Sequence, residues 1–287
     1  MSQLPVQAAS AVVVPLAHLT PYEQQRLAEI RSWHAAPPDW GTRVMSRPSR
    51  VAAFAAQRLV PVEALRASLR TLDRLAGRVS GRRDVLRAAG AETLEQLAQR
   101  SLEQCDQLAR RIERRAMLMA GAGGAALGVG GAVGMVADVP SLLTLALRTI
   151  HRSAYCYGED WCESDDRALS IGVFALASAN SMEEKQAAFA ALRGNHALLD
   201  AAWRDGVERV AEREMAKDAA QFSMQALAAR IGTHVGTRKA KGAVPVIGAV
   251  IGGAVNAGYI HDIAQVARYV LQERWLRRRY AREALEI

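Results

Sequence analysis

The chain has 287 residues, a formal net charge of +8 and 50% hydrophobic residues, but only 5% aromatic residues. This length and apolar content suffice for a folded protein with a large core, and they exclude a disordered tail, a collagen-like chain and a disulfide-rich miniprotein. The three cysteines form no C-x-x-C pair, and their odd number favours a reducing compartment. We therefore expect a cytoplasmic protein or one at the cytoplasmic face of a membrane.

The positive charge is concentrated in the N-terminal third of the chain, where single arginines alternate with alanine and leucine. A solvated helix face explains this pattern better than a nucleic-acid footprint does. We therefore expect no nucleic-acid partner.

The N-terminal segment, residues 1–19, is nearly uncharged, is interrupted by two prolines and lacks a basic start. It does not resemble a signal peptide, and we expect it to be flexible. Order is predicted to begin where Thr20, Pro21 and Glu23 form a capping box. The helix that follows should end near Trp33.

The remainder of the chain shows apolar residues at helical spacing, for example from Val51 to Ile112 with a break at Pro61. A long amphipathic helix fits residues 197–231, and no sustained strand pattern occurs anywhere. The predicted fold is all-α, a compact multi-helix bundle. Residues 20–287 are expected to form a single domain.

Two glycine-rich apolar segments, residues 116–147 and 242–260, interrupt the charged pattern. Each approaches the ~20 residues of a transmembrane helix, but both contain few bulky apolar residues. The sequence leaves two explanations open, close packing inside a soluble core and insertion into a membrane. We expect the two segments to pack together. The glycines at the G-x-x-x-G spacing of close helix contacts are Gly124, Gly128, Gly130, Gly134, Gly248 and Gly252.

Arginines flank the first glycine-rich segment on both sides, which favours both ends on the same side of a membrane. If the chain folds back near Asp138 and Pro140, each arm is roughly 24 Å long, shorter than a hydrocarbon core of about 30 Å. Such a hairpin would dip into one leaflet. Asp138 would then lie deepest, where an acid is costly, and its role as a helix N-cap before Pro140 explains it without insertion.

Polar residues within the glycine-rich segments need partners, because unpaired polar groups are costly in apolar surroundings. Asp138 and Asn256 are therefore a candidate polar pair. Basic residues that flank the second segment, or follow it near the C-terminus, are candidates for contact with anionic headgroups. They are Lys239, Lys241, Arg277, Arg278 and Arg279.

Catalytic signatures are lacking: the chain has no H-E-x-x-H, G-x-S-x-G or Walker A sequence. Residues 121–126 match G-x-G-x-x-A, but an arginine-rich helix precedes them instead of the strand that a dinucleotide site needs. His151 and Tyr155 share a helix face beside Cys156, a pattern that suits a nucleophile or metal but more commonly marks a buried polar cluster. We predict no catalytic residue, no metal and no cofactor.

Several short motifs occur in order along the chain: Leu19-Thr20-Pro21-Tyr22-Glu23, Pro61, Ala137-Asp138-Val139-Pro140, Tyr157-Gly158, Pro245 to Gly252 with Asn256, and Ala267-Arg268-Tyr269 with Arg274. Together they resemble the EcsC family of bacterial proteins over roughly residues 20 to 280. The resemblance implies membrane association, because members of that family are usually described as hydrophobic or membrane-associated proteins of unknown biochemical function. It implies no catalytic residues.

The leading hypothesis is a non-enzymatic peripheral or monotopic membrane protein that binds lipid or a membrane protein through its glycine-rich segments. The alternative is a soluble helical enzyme or small-ligand-binding protein with a pocket near Asp138, His151 and Tyr157. An exposed apolar patch on residues 116–147 and 242–260 would favour the first hypothesis, and burial against other helices would favour the second.

Overall fold

The computed structural model describes the backbone of residues 19–38, 62–128, 131–162, 167–179, 181–192 and 237–280. Side chains are described over the same ranges except 62–70, 127–128, 131–140, 167–168, 191 and 237–252. The helices are α1 (Pro21–Ala35), α2 (Val62–Val79), α3 (Arg82–Ala89), α4 (Leu94–Ala98), α5 (Leu102–Gly128), α6 (Gly131–Cys156), α7 (Arg167–Ser178), α8 (Met182–Leu192) and α9 (Thr237–Arg279). The predicted all-α bundle is confirmed.

The start of α1 follows the predicted capping box. Thr20 Oγ1 accepts a hydrogen bond from the Glu23 amide at 3.2 Å, and the Thr20 amide donates to Glu23 Oε2 at 2.8 Å. The helix ends at Ala35, slightly beyond the predicted Trp33. Glu23 is buried, and its Oε2 also accepts from Tyr280 Oη at 2.9 Å, so the first helix is fixed to the end of the last one.

The long helices α5, α6 and α9 form the centre of the bundle, and the contact between α5 and α9 is the most extensive. At 1.5 Å per residue, α9 is about 64 Å long. It runs antiparallel to α5, since Gly253 lies against Gly121 while Gln272, further along α9, lies against Asp106.

The two glycine-rich segments pack together, as predicted. A Cβ atom built on Gly253 would lie 2.8 Å from the carbonyl oxygen of Gly121, a distance that real Cβ atoms do not tolerate. The two backbones can approach this closely because neither residue has a side chain. Of the six glycines predicted for such contacts, Gly124 is buried. The surroundings of the other five lie outside the described side chains.

The predicted fold-back at Asp138 is wrong. Helix α6 continues without interruption from Gly131 to Cys156, so Asp138 is not an N-cap and Pro140 lies well inside the helix. The preceding helix α5 ends at Gly128 instead. Glycine weakens a helix by about 1 kcal/mol per site, and the cluster of glycines from residue 128 to 134 outweighs the signal of one aspartate and one proline. The Asp138–Asn256 pair stays a prediction, because the Asp138 side chain is outside the described set.

The Tyr157-Gly158 motif ends α6. Gly158 adopts φ +76°, a left-handed conformation that favours glycine, and a Cβ atom there would lie 2.5 Å from the backbone nitrogen of Ala98. The motif therefore packs the end of α6 against α4.

Two further predictions, the helix over 197–231 and the break at Pro61, fall outside the described residues. Within the described ranges, no helix combines the length and the apolar character that crossing a membrane requires.

Candidate functional site

An open cleft of roughly 430 Å³ lies where α5 and α6 meet α3. Sites for small organic ligands have volumes of this order. Its apolar lining comes from α5 and α6, through Ile112, Ala116, Met119 and Leu145. Its charged lining comprises four cations and one acid, namely Arg87, Arg115, Arg148, Arg152 and Asp84.

Helical spacing explains why these side chains meet. On α5, the lining positions 112, 115, 116 and 119 follow the i, i+3, i+4, i+7 pattern of a single helix face. On α6, positions 145, 148, 149 and 152 do the same. Each helix thus contributes apolar side chains and arginines from the same face, and the cleft is amphipathic.

The arginines of the cleft differ in their partners: Arg87 Nη1 lies 3.5 Å from Asp84 Oδ1, and Arg152 Nη1 donates to the carbonyl oxygen of Ser80 at 3.0 Å. Burial lowers the pKa of Arg152, and the nearby Arg148 lowers it further, while Asp84 acts in the opposite direction. Arg148 Nε is buried and has no hydrogen-bond partner among the described residues. Neither Arg115 nor Arg148 forms an ion pair with an acid of the described chain, so the cleft is suited to an anion that accepts hydrogen bonds from guanidinium groups.

An apolar surface adjoins the cleft on α5. Leu118 is 74% exposed and Met119 is 52% exposed, although both are large apolar side chains. Ala122, Gly123 and Ala126 continue the exposed surface toward the end of the helix. Positive charge and exposed apolar side chains therefore lie side by side, as recognition of an anionic amphiphile requires.

The C-terminal arginines predicted to contact headgroups make intramolecular contacts. Arg277 pairs with Glu273 at 2.6 Å and Arg278 pairs with the buried Glu159 at 3.0 Å. Arg279 donates to the carbonyl oxygen of residue 99 at 3.0 Å. These contacts lie near the start of α5, away from its glycine-rich end. The side chains of Lys239 and Lys241 are not among those described, and contact of these five residues with headgroups stays a prediction.

Tyr157, predicted to line a pocket, lies in a buried cluster around Asp106. The Asp106 carboxylate accepts hydrogen bonds from Tyr22 Oη at 2.6 Å, from Gln272 Nε2 at 2.7 Å and from Tyr157 Oη. Burial and this carboxylate together raise the pKa of both tyrosines. Each donor comes from a different helix or helix end, so Asp106 ties α1, α6 and α9 to α5.

His151 belongs to a different cluster, built on Asp73 of α2. His151 Nε2 lies 3.0 Å from Asp73 Oδ1, which also accepts a hydrogen bond from Ser170 Oγ at 2.9 Å. On its other side, His151 Nδ1 lies 3.7 Å from Cys162 Sγ, and Tyr155 Oη lies 3.1 Å from the same sulfur. The described contacts of His151 and Tyr157 thus centre on different acids. The pocket proposed near these two residues and Asp138 stays a prediction.

Sequence reasoning placed the wrong cysteine beside His151 and missed Asp73. Cys156 is fully buried and donates to the carbonyl oxygen of Arg152 at 3.2 Å, whereas Cys162 contacts the histidine. Asp73 carried a usable signal: it falls at helical spacing with the buried Ala76 and Ser80, and an acid on a buried stripe needs a partner. The described side chains form no group of three or more that is arranged to hold a metal ion.

Comparison with known proteins supports the motif-based resemblance. The model of the EcsC protein family matches residues 24–276. The uncharacterized protein YdbA of Bacillus subtilis (strain 168) is 26% identical over 183 residues, which cover 64% of this chain and 62% of YdbA. The match thus spans less than two thirds of that relative. No solved structure matches the chain. With the family match extending over most of its length, this chain belongs to the EcsC protein family.

Proposed function

We propose that this protein is a non-enzymatic peripheral membrane protein that binds anionic phospholipid. Arg115, Arg148 and Arg152 hold the headgroup phosphate in the cleft. Leu118 and Met119 contact the acyl chains. The glycine-rich ends of α5 and α6 enter the outer part of the facing leaflet.

The observation that carries this proposal is the position of Arg115 beside exposed apolar side chains on α5, with Arg148 and Arg152 of α6 lining the same cleft. Arginines held close together repel one another. Burial is the main cause of the lowered pKa of Arg152, and repulsion by Arg148 is the second cause. A bound phosphate offsets the repulsion, and the planar guanidinium fork matches its oxygens. An acyl chain attached to the phosphate covers the apolar surface next to it.

The charge distribution of the chain supports entry of this end into a leaflet. Residues 116–137 carry no charged side chain, so transfer of this stretch into lipid desolvates no ion, and Asp138 is the one acid within residues 116–147 that has to be protonated or paired there. Gly128 lies about 20 Å beyond Arg115 along α5, whereas interfacial insertion reaches roughly 5–10 Å, so the helix has to enter at an oblique angle to the membrane surface. With the arginines at the headgroups, the end of α5 therefore reaches the acyl region without crossing the bilayer.

Vesicle sedimentation of the full chain tests the proposal. Binding is measured on phosphatidylcholine vesicles with and without phosphatidylglycerol, at low and at physiological salt. We expect binding that requires phosphatidylglycerol and weakens with salt. Arg115→Gln and Arg148→Gln should each lower the partition coefficient about fivefold, because one arginine near an anionic surface contributes about 1 kcal/mol.

Matched variants control for charge and for apolar surface. Arg114→Gln removes the same charge from a neighbouring exposed position that does not line the cleft, and it should reduce binding less than Arg115→Gln does. Leu118→Ser should weaken binding severalfold, while Leu75→Ser, at a 47% exposed position on α2, should not. Equal binding to neutral vesicles, or equal losses in Arg114→Gln and Arg115→Gln, would contradict the proposal. Displacement from vesicles by inorganic phosphate alone would indicate a site for a soluble anion.

A further inference from the structure

The cluster around His151 lies outside the cleft residues and joins three groups in a chain. Asp73 Oδ1 lies 3.0 Å from His151 Nε2, and His151 Nδ1 lies 3.7 Å from Cys162 Sγ. Asp73 and His151 are almost fully buried, with side chains 4% and 1% exposed. A carboxylate, an imidazole and a thiol in this order form the arrangement that activates a cysteine nucleophile.

The hydrogen bonds around Asp73 fix the position of one proton. An ionised carboxylate only accepts, so the hydrogen between Asp73 and His151 resides on Nε2. His151 Nδ1 then faces Cys162 Sγ, and a second proton is shared between these two atoms. Burial opposes the charged form of His151, but the hydrogen bonds to Asp73 and Cys162 raise its pKa to about 9. At neutral pH the imidazole therefore holds both protons.

A second donor faces the same sulfur. Ser80 Oγ donates to the carbonyl oxygen of Gly77 at 2.6 Å, which commits the only hydroxyl proton of that serine. The Tyr155 hydroxyl proton therefore points either to Ser80 Oγ at 2.9 Å or to Cys162 Sγ at 3.1 Å. Gly77 makes room for the sulfur, since a Cβ atom there would lie 3.0 Å from it.

The other two thiols provide an internal contrast. Cys105 and Cys156 are buried, whereas Cys162 is partly exposed, and none of the three forms a disulfide. Burial, with a smaller contribution from Asp106, raises the pKa of Cys105 to about 12. Burial also raises the pKa of Cys156 well above that of an ordinary thiol. A reagent in solution should therefore reach and modify Cys162 selectively.

We propose that Cys162 is a modification site for small hydroperoxides, with His151 as proton donor and Asp73 as the residue that positions His151. The thiolate sulfur attacks the terminal oxygen of the peroxide, so that an S–O bond forms and the O–O bond breaks. His151 Nδ1 gives its proton to the departing oxygen. The products are a cysteine sulfenic acid and water or an alcohol.

The backbone around Cys162 favours a peroxide over an acyl substrate. Acyl transfer needs amide donors aimed at the oxyanion, and the amide of the nucleophilic residue is a common one. The Cys162 amide already donates to Asp160 Oδ1 at 3.0 Å. Peroxide cleavage needs only a cysteine sulfur and a proton donor beside it, and the cluster places His151 Nδ1 3.7 Å from Cys162 Sγ.

Peroxide oxidation of the full chain tests this proposal. Hydrogen peroxide is added, sulfenic acid is trapped with dimedone, and each cysteine is quantified by mass spectrometry. We expect Cys162 to be labelled and Cys105 and Cys156 to remain unlabelled. In the native protein the rate at Cys162 should change less than about twofold between pH 6 and pH 8, because His151 stays protonated beside the sulfur across this range. In His151→Gln it should rise steeply with pH, as for an ordinary thiol.

Further variants, and the same chain unfolded in denaturant, distinguish activation of Cys162 by its neighbours from an effect of misfolding. Asp73→Asn should slow labelling at pH 7 by about tenfold, and Ser170→Ala, which removes a hydrogen bond to Asp73 and leaves the carboxylate in place, should change it little. The same chain in denaturant provides a reference that needs no variant to fold. Native Cys162 that reacts no faster at pH 7 than the unfolded chain would overturn the proposal, as would an identical pH profile in His151→Gln.

Discussion

The two ends of the α5–α9 helix pair are built by different means. At the end that contains residues 106–113 and 261–278, buried acids hold the helices together through directed hydrogen bonds. At the other end, Gly121 and Gly253 bring the two backbones into direct contact, and exposed apolar side chains flank them. The polar end thus specifies the register of the bundle, while the glycine-rich end leaves apolar surface for an external partner.

The polar end uses several acids in this way. Glu113 contacts His261 Nδ1 at 2.6 Å and also pairs with Arg268. Glu159 accepts from Trp161 Nε1 at 2.7 Å and from Arg274 Nε at 2.8 Å. Because a buried acid tolerates few alternative positions, each such group restricts how α9 can slide against its neighbours.

The largest predicted effect is at Gly158. Gly158→Ala combines a left-handed φ of +76° with a Cβ atom 2.5 Å from the Ala98 backbone, so we expect a loss above about 4 kcal/mol or no folded protein. Gly90→Ala is the matched control, because Gly90 also has a positive φ (+63°) but open space around it. It should lose only about 1–2 kcal/mol. Urea unfolding measures the loss of unfolding free energy in both variants. Equal losses would show that the contact with Ala98 does not add to the cost at Gly158.

The next largest effect is expected at Asp106. Asp106→Asn replaces an acceptor oxygen by a donor that faces the hydroxyl of a tyrosine or the amide of Gln272, which should destabilise the fold by about 3 kcal/mol. Asp84→Asn removes the same charge from an acid that is 57% exposed and should change stability by less than about 0.5 kcal/mol. Chemical denaturation monitored by circular dichroism measures both. A loss at Asp106 no larger than that at Asp84 would show that the polar cluster does not stabilise this end.

The His151 cluster predicts a pH dependence. Burial lowers the pKa of His151, but the bonds to Asp73 and Cys162 raise it to about 9, above the 6.5 of an ordinary histidine. The associated stability is therefore fully present below about pH 6.5 and is lost as the pH rises through about 9, by at most about 3 kcal/mol. Unfolding free energies measured from pH 6 to 10 should fall in the native chain and fall less in His151→Gln. Parallel curves for the two proteins would contradict this assignment.

The smallest of these effects tests the glycine-rich end. Gly253→Ala places a methyl group 2.8 Å from the Gly121 carbonyl oxygen and should cost about 2 kcal/mol as the helices separate. Gly123→Ala, two residues along α5 in open space, should instead stabilise the helix by up to about 1 kcal/mol. Thermal melts of the two variants should therefore shift in opposite directions. Shifts of the same sign would argue against backbone contact at Gly121.

Local sequence signals predicted much of the fold. The capping box at Thr20 and the helical periodicity gave α1 and the all-α class, because these signals act within a few residues. Glycine content also predicted the packing of the two apolar segments. The fold-back at Asp138 was wrong because the prediction weighted Pro140 above the glycines that precede it, although α6 accommodates this proline.

The candidate sites depended on information that one sequence does not carry. His151 and Asp73 are 78 residues apart, and their contact depends on how α2 packs on α6. The arginines of the cleft were visible only as charges that flank an apolar segment. Their convergence follows from the register of α5 against α6, which periodicity leaves undetermined.

Hydrogen–deuterium exchange with and without anionic vesicles tests most directly which end faces the membrane. We expect slower exchange on phosphatidylglycerol-containing vesicles in residues 112–128 and 141–152, with little change in residues 94–106 and 270–280. Protection confined to the polar end, or no protection in either region at vesicle concentrations that sediment the protein, would contradict the assignment of the glycine-rich end as the membrane-binding surface.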